Sequence, residues 1–469
     1  MRTLLFVFTL FLSSLLFAQD NSTELLAIQY YQINDFEKAS ILFEELFEGD
    51  PGSEIFYHYY LDCLINLTEF NVAEKMIKKQ IKRFPNKNIL AVDLGYVYSL
   101  MGDERKKKKQ YAEVVENVNA NPTAVSMLAN AFIQRKEFEY AISVFQKGRK
   151  LSNDPTAFAF SLAELYKLTG NKELIVDEYI NLLYNDERLI QSVQNKLQDE
   201  VLDDDFYNLT KQRLIKEVQN SNYTPVFVNL LSWLYIQKKD FQAAFRQQKA
   251  LDKRSGNNNA ALVSLADICI SSNAFDIAES IYQYIMEKGT TTPYYFHSKF
   301  GLIEVKYLKI TSLPNPAVSA LIDIEAHYTR YLNTDFFRYI DISEKVILRL
   351  AEIKAIYLNK VSDAIELLNK YIDYPRISKT SQAKMKLSLA DYYVLSGDDW
   401  ESSLLYMQVA KMYKDHPLGH EAKFRNAKLS FYRGDFNWAN DQLDVLKAST
   451  SELIANDALR LAMLIQDVL

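Results

Sequence analysis

The chain has little of what usually marks a reaction centre or a cross-linked fold. Two cysteines in 469 residues, Cys63 and Cys269, make no disulfide framework. They fall on first helices of units far apart in the array described below, too distant to bridge, so an exported form must rely on its apolar core. Histidines number five. His416 and His420 are four apart, but Pro417 and Gly419 between them fit a linking turn better than a zinc-binding helical face. No glycine-rich phosphate loop, nucleophile elbow or HExxH helix occurs, so catalysis has no visible seat, and no cofactor or metal is expected. Twelve glycines and ten prolines are few, while 31 Tyr and 27 Phe are many, a balance suited to packed helices with short links. An excess of one charge is also missing: 54 basic and 60 acidic residues leave a net charge of -6, which disfavours broad attraction to nucleic acid. Nor is there an apolar run of the about twenty residues needed to span a bilayer. Arg2, the run from Leu4 to Leu12, Ser13-Ser14 and the stretch to Ala18 have instead the order of a secretory leader, and no cysteine follows for lipid attachment.

What the chain does have is periodicity. Leu26, Tyr60, Leu94, Leu128 and Leu162 are each 34 residues apart, as are Tyr30, Leu64, Tyr98, Phe132 and Tyr166, and again Phe43, Ile77, Tyr111, Phe145 and Tyr179. Small residues keep the same register at Ala27, Gly95, Ala129 and Ala163, with Leu61 a misfit, and at Ala39, Ala73 and Ala141, with Lys107 and Ile175 misfits. Within one period, apolar residues sit on one face of two successive amphipathic runs separated by turn residues such as Asn34-Asp35. Small residues let the two backbones approach and bulky rings fill the remaining space. Pro51, Pro85 and Pro122 fall in the links, where a missing backbone donor costs little. The pattern resembles the tetratricopeptide repeat family, whose unit is a 34-residue helix-turn-helix. The resemblance implies an all-α fold, an α-solenoid in which each pair stacks on its neighbours because none has a sufficient core alone.

The expected organisation is a signal peptide at 1–18, five regular units over 19–187, a divergent helical pair at 188–222, two units at 223–290, a longer pair at 291–334, three looser units at 335–450, and a terminal apolar helix at 451–469. In the divergent pair, Asp203-Asp204-Asp205 fits a helix cap at the positive end of the dipole, with no calcium-loop spacing. Lys106 to Lys109 fit a solvated second-helix face rather than a patch for an acidic ligand.

The resemblance further implies a concave groove lined by the first helix of each pair. The positions it places there include Tyr31, His58, Asp62, Tyr96, Asn130, Phe160, Glu164 and Trp233, among which the aromatic residues are candidate anchors. The lysine and asparagine set with which some members clamp a peptide's terminal carboxylate is missing. Leu461, Leu464, Ile465 and Leu469 form a candidate docking face on the terminal helix, where an end unit should be polar. The function expected is a non-enzymatic exported scaffold that binds envelope proteins, periplasmic or outer-membrane-associated in a Gram-negative bacterium, with self-association through the last helix as a further option. The leader once removed, no membrane span and no nucleic-acid partner are expected. The alternatives are a regulatory or carrier subunit of an envelope enzyme or secretion complex, or a glycan-binding surface.

Overall fold

The computed structural model describes residues 22–85, 87–220, 225–256, 259–446 and 452–466. The proposed leader and Leu469 therefore lie outside the described residues. All regular elements among those described are helical. The chain divides into two compact units, one ending at Leu234 and the other beginning at Tyr235.

The first unit contains α1 (22–32), α2 (Phe36–Gly49), α3 (Glu54–Asn66), α4 (Phe70–Arg83), α5 (Asn88–Leu100), α6 (Glu104–Glu116), α7 (Pro122–Gln134), α8 (Phe138–Ser152), α9 (Ala159–Thr169) and α10 (Lys172–Asn185). It continues with α11 (Ile190–Leu197) and α12 (Asp204–Gln219), and the unit boundary falls inside α13 (Pro225–Gln237). Second helices begin at Phe36, Phe70, Glu104, Phe138 and Lys172, in unbroken 34-residue register. Each helix packs principally on the next or next-but-one in sequence, the nearest-neighbour logic of a stacked array.

The second unit runs α14 (Phe241–Ser255), α15 (Asn259–Ser271), α16 (Phe275–Glu287), α17 (Tyr295–Thr311), α18 (Val318–Asp335) and α19 (Ile340–Glu352), then a π-helical turn, Ile353–Tyr357. It ends with α20 (Val361–Tyr371), α21 (Lys379–Ser396), α22 (Asp399–Met412), α23 (Pro417–Tyr432), α24 (Phe436–Leu446) and α25 (Glu452–Gln466). His416 caps α23, its Nδ1 accepting from the Leu418 amide at 3.1 Å. A Cβ added to Gly419 would lie 1.9 Å from the Tyr413 carbonyl, so this glycine is what permits the tight link between α22 and α23.

The turn inside each regular unit is set by backbone geometry that periodicity does not reveal. Asn34, Thr68, Gly102, Lys136 and Gly170, 34 residues apart, all have positive φ. The amide of the next residue bonds back to Tyr30, Leu64, Tyr98, Phe132 and Tyr166 respectively, the bond that closes a helix over a left-handed residue. Thus one register position anchors the turn through its carbonyl while its side chain enters the core. Asp35 and Asp103 then cap the second helix, accepting from Lys38 and Lys106 amides at 3.3 and 3.0 Å. In the divergent pair, Asp203 caps α12 by accepting from Phe206 at 2.7 Å, and its carboxyl is held below the usual carboxylate range by that bond and by Lys172.

The small-on-large interlock is visible in atoms. Ala27, Ala39, Ala73, Ala129 and Ala141 are fully buried, with Phe43, Ile77 and Tyr111 beside them in the register. Of the misfits, Leu61 is fully buried and Ile175 nearly so, whereas Lys107 reaches Glu137 of the next unit at 2.7 Å. Its neighbours Lys106, Lys108 and Lys109 are exposed. Leu26 departs from its buried register-mates at 42% exposure, since no described helix precedes α1 to cover it. Cys63 and Cys269 are both buried and unbridged, and burial pushes each thiol up to about 12.

The tightest interlock is at Gly95, where an added Cβ would lie 2.1 Å from the Tyr111 ring. Gly95→Ala should destabilise the chain by about 1–3 kcal/mol, the usual cost of overpacking. Combining it with Tyr111→Leu should cost less than the sum of the two changes, as read from urea unfolding of all three variants. Because thiolate is the reactive form, both cysteines should resist a thiol reagent at pH 8 in the native chain and react at once in denaturant.

Candidate functional site

In the first unit, the first-helix face carries a network that crosses four units. Arg135, at the end of α7, bonds Asp93 of α5 through Nε and Nη2 at 3.1 and 2.9 Å and stands 3.9 Å from Asp62 of α3. Its guanidinium lies over the Tyr96 ring at 4.8 Å. Tyr57 donates to the other Asp93 oxygen at 3.0 Å, and Tyr31 of α1 donates to Asp62 at 3.5 Å. Burial raises the Asp62 carboxyl above its ordinary range, against the opposing pull of Arg135 and His58. The network thus brings Tyr31, Asp62 and Tyr96 together with three residues that periodicity did not single out, Tyr57, Asp93 and Arg135. The carboxylate and guanidinium positions vary from unit to unit, so a repeat-based comparison passes over them.

The remaining candidates are dispersed. His58, Asn130 and Glu164 are exposed, with Glu164 paired to Lys196 at 2.8 Å. Phe160 is half-buried against Tyr179, and Trp233 is half-buried. Tyr31 is set edge-on to Phe36, Phe43 and Tyr59, so neither it nor Tyr96 offers a bare ring. On the terminal helix, Ile465 is fully buried in a core with Leu443, Leu446 and Ala458, which corrects its place in the docking face. A residue at that position must satisfy the unit below before any partner. Leu461 is partly buried against the same core, and Leu464 is 55% exposed.

The second unit has a counterpart that the sequence did not signal. A cavity of about 560 Å³ is lined from four first helices: Glu304 of α17; Lys345, Leu348, Arg349 and Glu352 of α19; Lys384, Leu387, Ser388, Asp391 and Tyr392 of α21; Leu418, Glu421 and Arg425 of α23; and Ile356 from the π turn. Arg349 reaches back to Glu304 at 3.1 Å, meets Glu352 at 3.1 Å and lies 4.7 Å over Tyr307. Arg425 repeats the device on Asp391 and Glu421, at 2.6 and 2.7 Å. Tyr328 and Tyr406, from the second helices, donate to Glu304 and Asp391. Burial nonetheless keeps the Asp391 carboxyl above its usual range, Arg425 working against it. In each unit, then, an arginine on one first helix fastens to a carboxylate on the preceding one, and Arg135 and Arg349 also share the aromatic lid. The π turn, closed by the Leu358 amide on the Ile353 carbonyl at 3.0 Å, leaves Ile356 56% exposed.

Arg135→Ala would strand Asp93, whose side chain is 4% exposed. Losing one partner of a buried pair costs about 3–5 kcal/mol, whereas replacing both by apolar or neutral isosteres is often near neutral. Urea unfolding should therefore show Arg135→Ala well below the double variant Arg135→Met/Asp93→Asn.

No family model and no curated protein matches the chain. Solved structures align with it at low identity. A chain of the Naa15/Naa10 complex bound to HypK-THB is 14% identical at a TM-score of 0.34, over 94% of this chain and 65% of that one. Yeast Tom70 is 13% identical at 0.34, over 96% of each chain. The Cut9-Hcn1 hetero-tetramer of the APC/C contributes a chain 11% identical at 0.34, over 94% of this chain and 96% of that one. By its own helix pairing each unit of this chain is an all-α array of stacked helix pairs, an α-solenoid, and the first keeps a 34-residue register.

Proposed function

We propose that the chain is a protein-binding scaffold that works in a bacterial envelope. The observation that carries the reading is the set of arginine–carboxylate ties between successive first helices: Arg135–Asp93, Arg349–Glu304 and Arg425–Asp391. Side chains locked in this way present a surface already ordered before a partner arrives, which lowers the entropy cost of binding. The apolar run up to Ala18 supports export, and two buried, unbridged thiols are compatible with an oxidising compartment. The glycan alternative loses two of its stacking platforms, because the Tyr96 face is taken by Arg135 and the Tyr31 ring is packed edge-on.

Epitope-tagged chain in a Gram-negative host, fractionated and cross-linked in intact cells, tests this. The chain should appear in the periplasmic or outer-membrane fraction. It should cross-link to a small, reproducible set of envelope proteins, at least one of which binds the purified chain saturably. Deleting residues 1–18 should leave it in the cytoplasm. Cytoplasmic location of the full chain, or turnover of a small molecule by the purified chain, would end the proposal.

A further inference from the structure

Two of the chain's three tryptophans stand exposed near the end of the second unit. Trp400 is 79% exposed and Trp438 59%, and among the described residues neither ring meets another ring or a cation. Trp400 is the third residue after Gly397, which has positive φ. At the same step after the left-handed residue, the five regular units carry Glu37, Asn71, Arg105, Glu139 and Glu173. The fold accepts a polar side chain at that place, so packing within the unit does not account for the indole.

The two tryptophans share an edge. Lys386 bonds Gln408, Ser403 bonds Asn426 and Asn426 bonds Gln442, each at 2.8 Å. These bonds pair positions on either side of the three successive links, so α21 to α24 alternate in direction, and the turns at Gly397 and Gly434 lie at one edge of the stack. Leu395 and Tyr432, each two residues before its glycine, are exposed there too. Leu404, one helical turn beyond Trp400, continues the apolar face.

Charge and area narrow what can cover this edge. Residues 395–401 and 432–438 hold four carboxylates, Asp398, Asp399, Glu401 and Asp435, against Arg433 alone, which disfavours a polyanion or an anionic surface. Each of the three rings exposes more than half of the about 150–250 Å² that an aromatic side chain can bury, roughly 300–500 Å² together. A second copy would need about 800 Å² per partner. The anchors of a protein interface sit in desolvated pockets, yet none of these side chains lines the second-unit cavity. A bilayer requires no matching pocket, because its headgroup boundary is a fluid phase that admits separate protruding rings. Trp and Tyr favour that boundary, the ring body being apolar while its N–H or O–H stays hydrated.

We infer that this turn edge of the second unit rests on a bilayer of neutral phospholipid. Trp400, Tyr432 and Trp438 enter the headgroup boundary, about 5–10 Å deep, and Leu395 and Leu404 enter with them. Among the described residues no helix is long and apolar enough to cross a membrane, so the attachment is peripheral. This goes beyond the scaffold reading, which rests on the first-helix faces and not on the turn edge.

The test is flotation of the purified full chain with phosphatidylcholine vesicles, joined to quenching of its tryptophan fluorescence by the same lipid brominated on the acyl chains. The chain should float, its emission should shift to the blue, and the brominated lipid should quench it. Added salt should leave binding unchanged, and added phosphatidylglycerol should not strengthen it. Trp400→Ser/Trp438→Ser should weaken binding by about tenfold or more, since affinity scales with the apolar area inserted, and should abolish the quenching. Trp400→Phe/Trp438→Phe should keep most of the binding. Both variants alter exposed side chains, so an unchanged circular dichroism spectrum separates lost binding from lost folding. Flotation that survives the serine variant would place the attachment elsewhere, for example in the apolar run before Ala18, and would overturn the inference. So would a requirement for phosphatidylglycerol. A chain that stays out of the floating fraction would overturn it too, including one that the two tryptophans join to a second copy or to a protein partner instead.

Discussion

A pair of helices of about thirty residues exposes an apolar face that it cannot bury by itself, and everything else in this chain follows from how that face is covered. The solution is close approach: Gly95 against Tyr111, Gly301 against Tyr282, and alanines where rings press from the neighbouring helix. Each contact fixes the distance between two backbones, and hence where the next pair must stack. Packing is accordingly local in sequence throughout both units, and the long apolar core grows by addition.

Two further devices work within that constraint. Left-handed residues at the 34-residue register end one helix and aim the next, even where the residue is Thr68 or Lys136 and bears a Cβ that disfavours the conformation. Arginine–carboxylate ties then join first helices across units. Between a carboxylate 4% exposed and an arginine 17% exposed, as at Asp93 and Arg135, such a tie adds little net stability. What it adds is position: the groups on the first-helix face cannot wander. The second-unit cavity is where this is clearest, because there Arg349 and Arg425 each hold two carboxylates.

The fold was legible because it rests on residue size at fixed spacing, and size is visible in a sequence. Ala27, Phe43, Ile77 and Tyr111 could be placed in the core from their register alone, and the Asp203 cap from its position before a helix. The site was less legible for the opposite reason. Asp62 and Tyr96 stand out because they lie 34 residues apart at one register position, whereas Asp93, Arg135, Arg349 and Asp391 act in pairs 34 to 45 residues apart whose positions do not repeat. Ile465 was misplaced because an apolar residue on a terminal helix looks the same in sequence whether it faces the previous unit or an absent partner. The π turn has no compositional mark, so the exposure of Ile356 could not be foreseen.

The central claim is that stability is passed only between adjacent helix pairs. Native-state hydrogen exchange on the chain carrying Gly95→Ala tests it most directly. The account predicts faster exchange in α5 and α6 and in the helices stacked on them, α3, α4, α7 and α8, with protection in α15 to α18 unchanged. A uniform loss of protection through both units would mean that the chain is held by a shared core, and would contradict it.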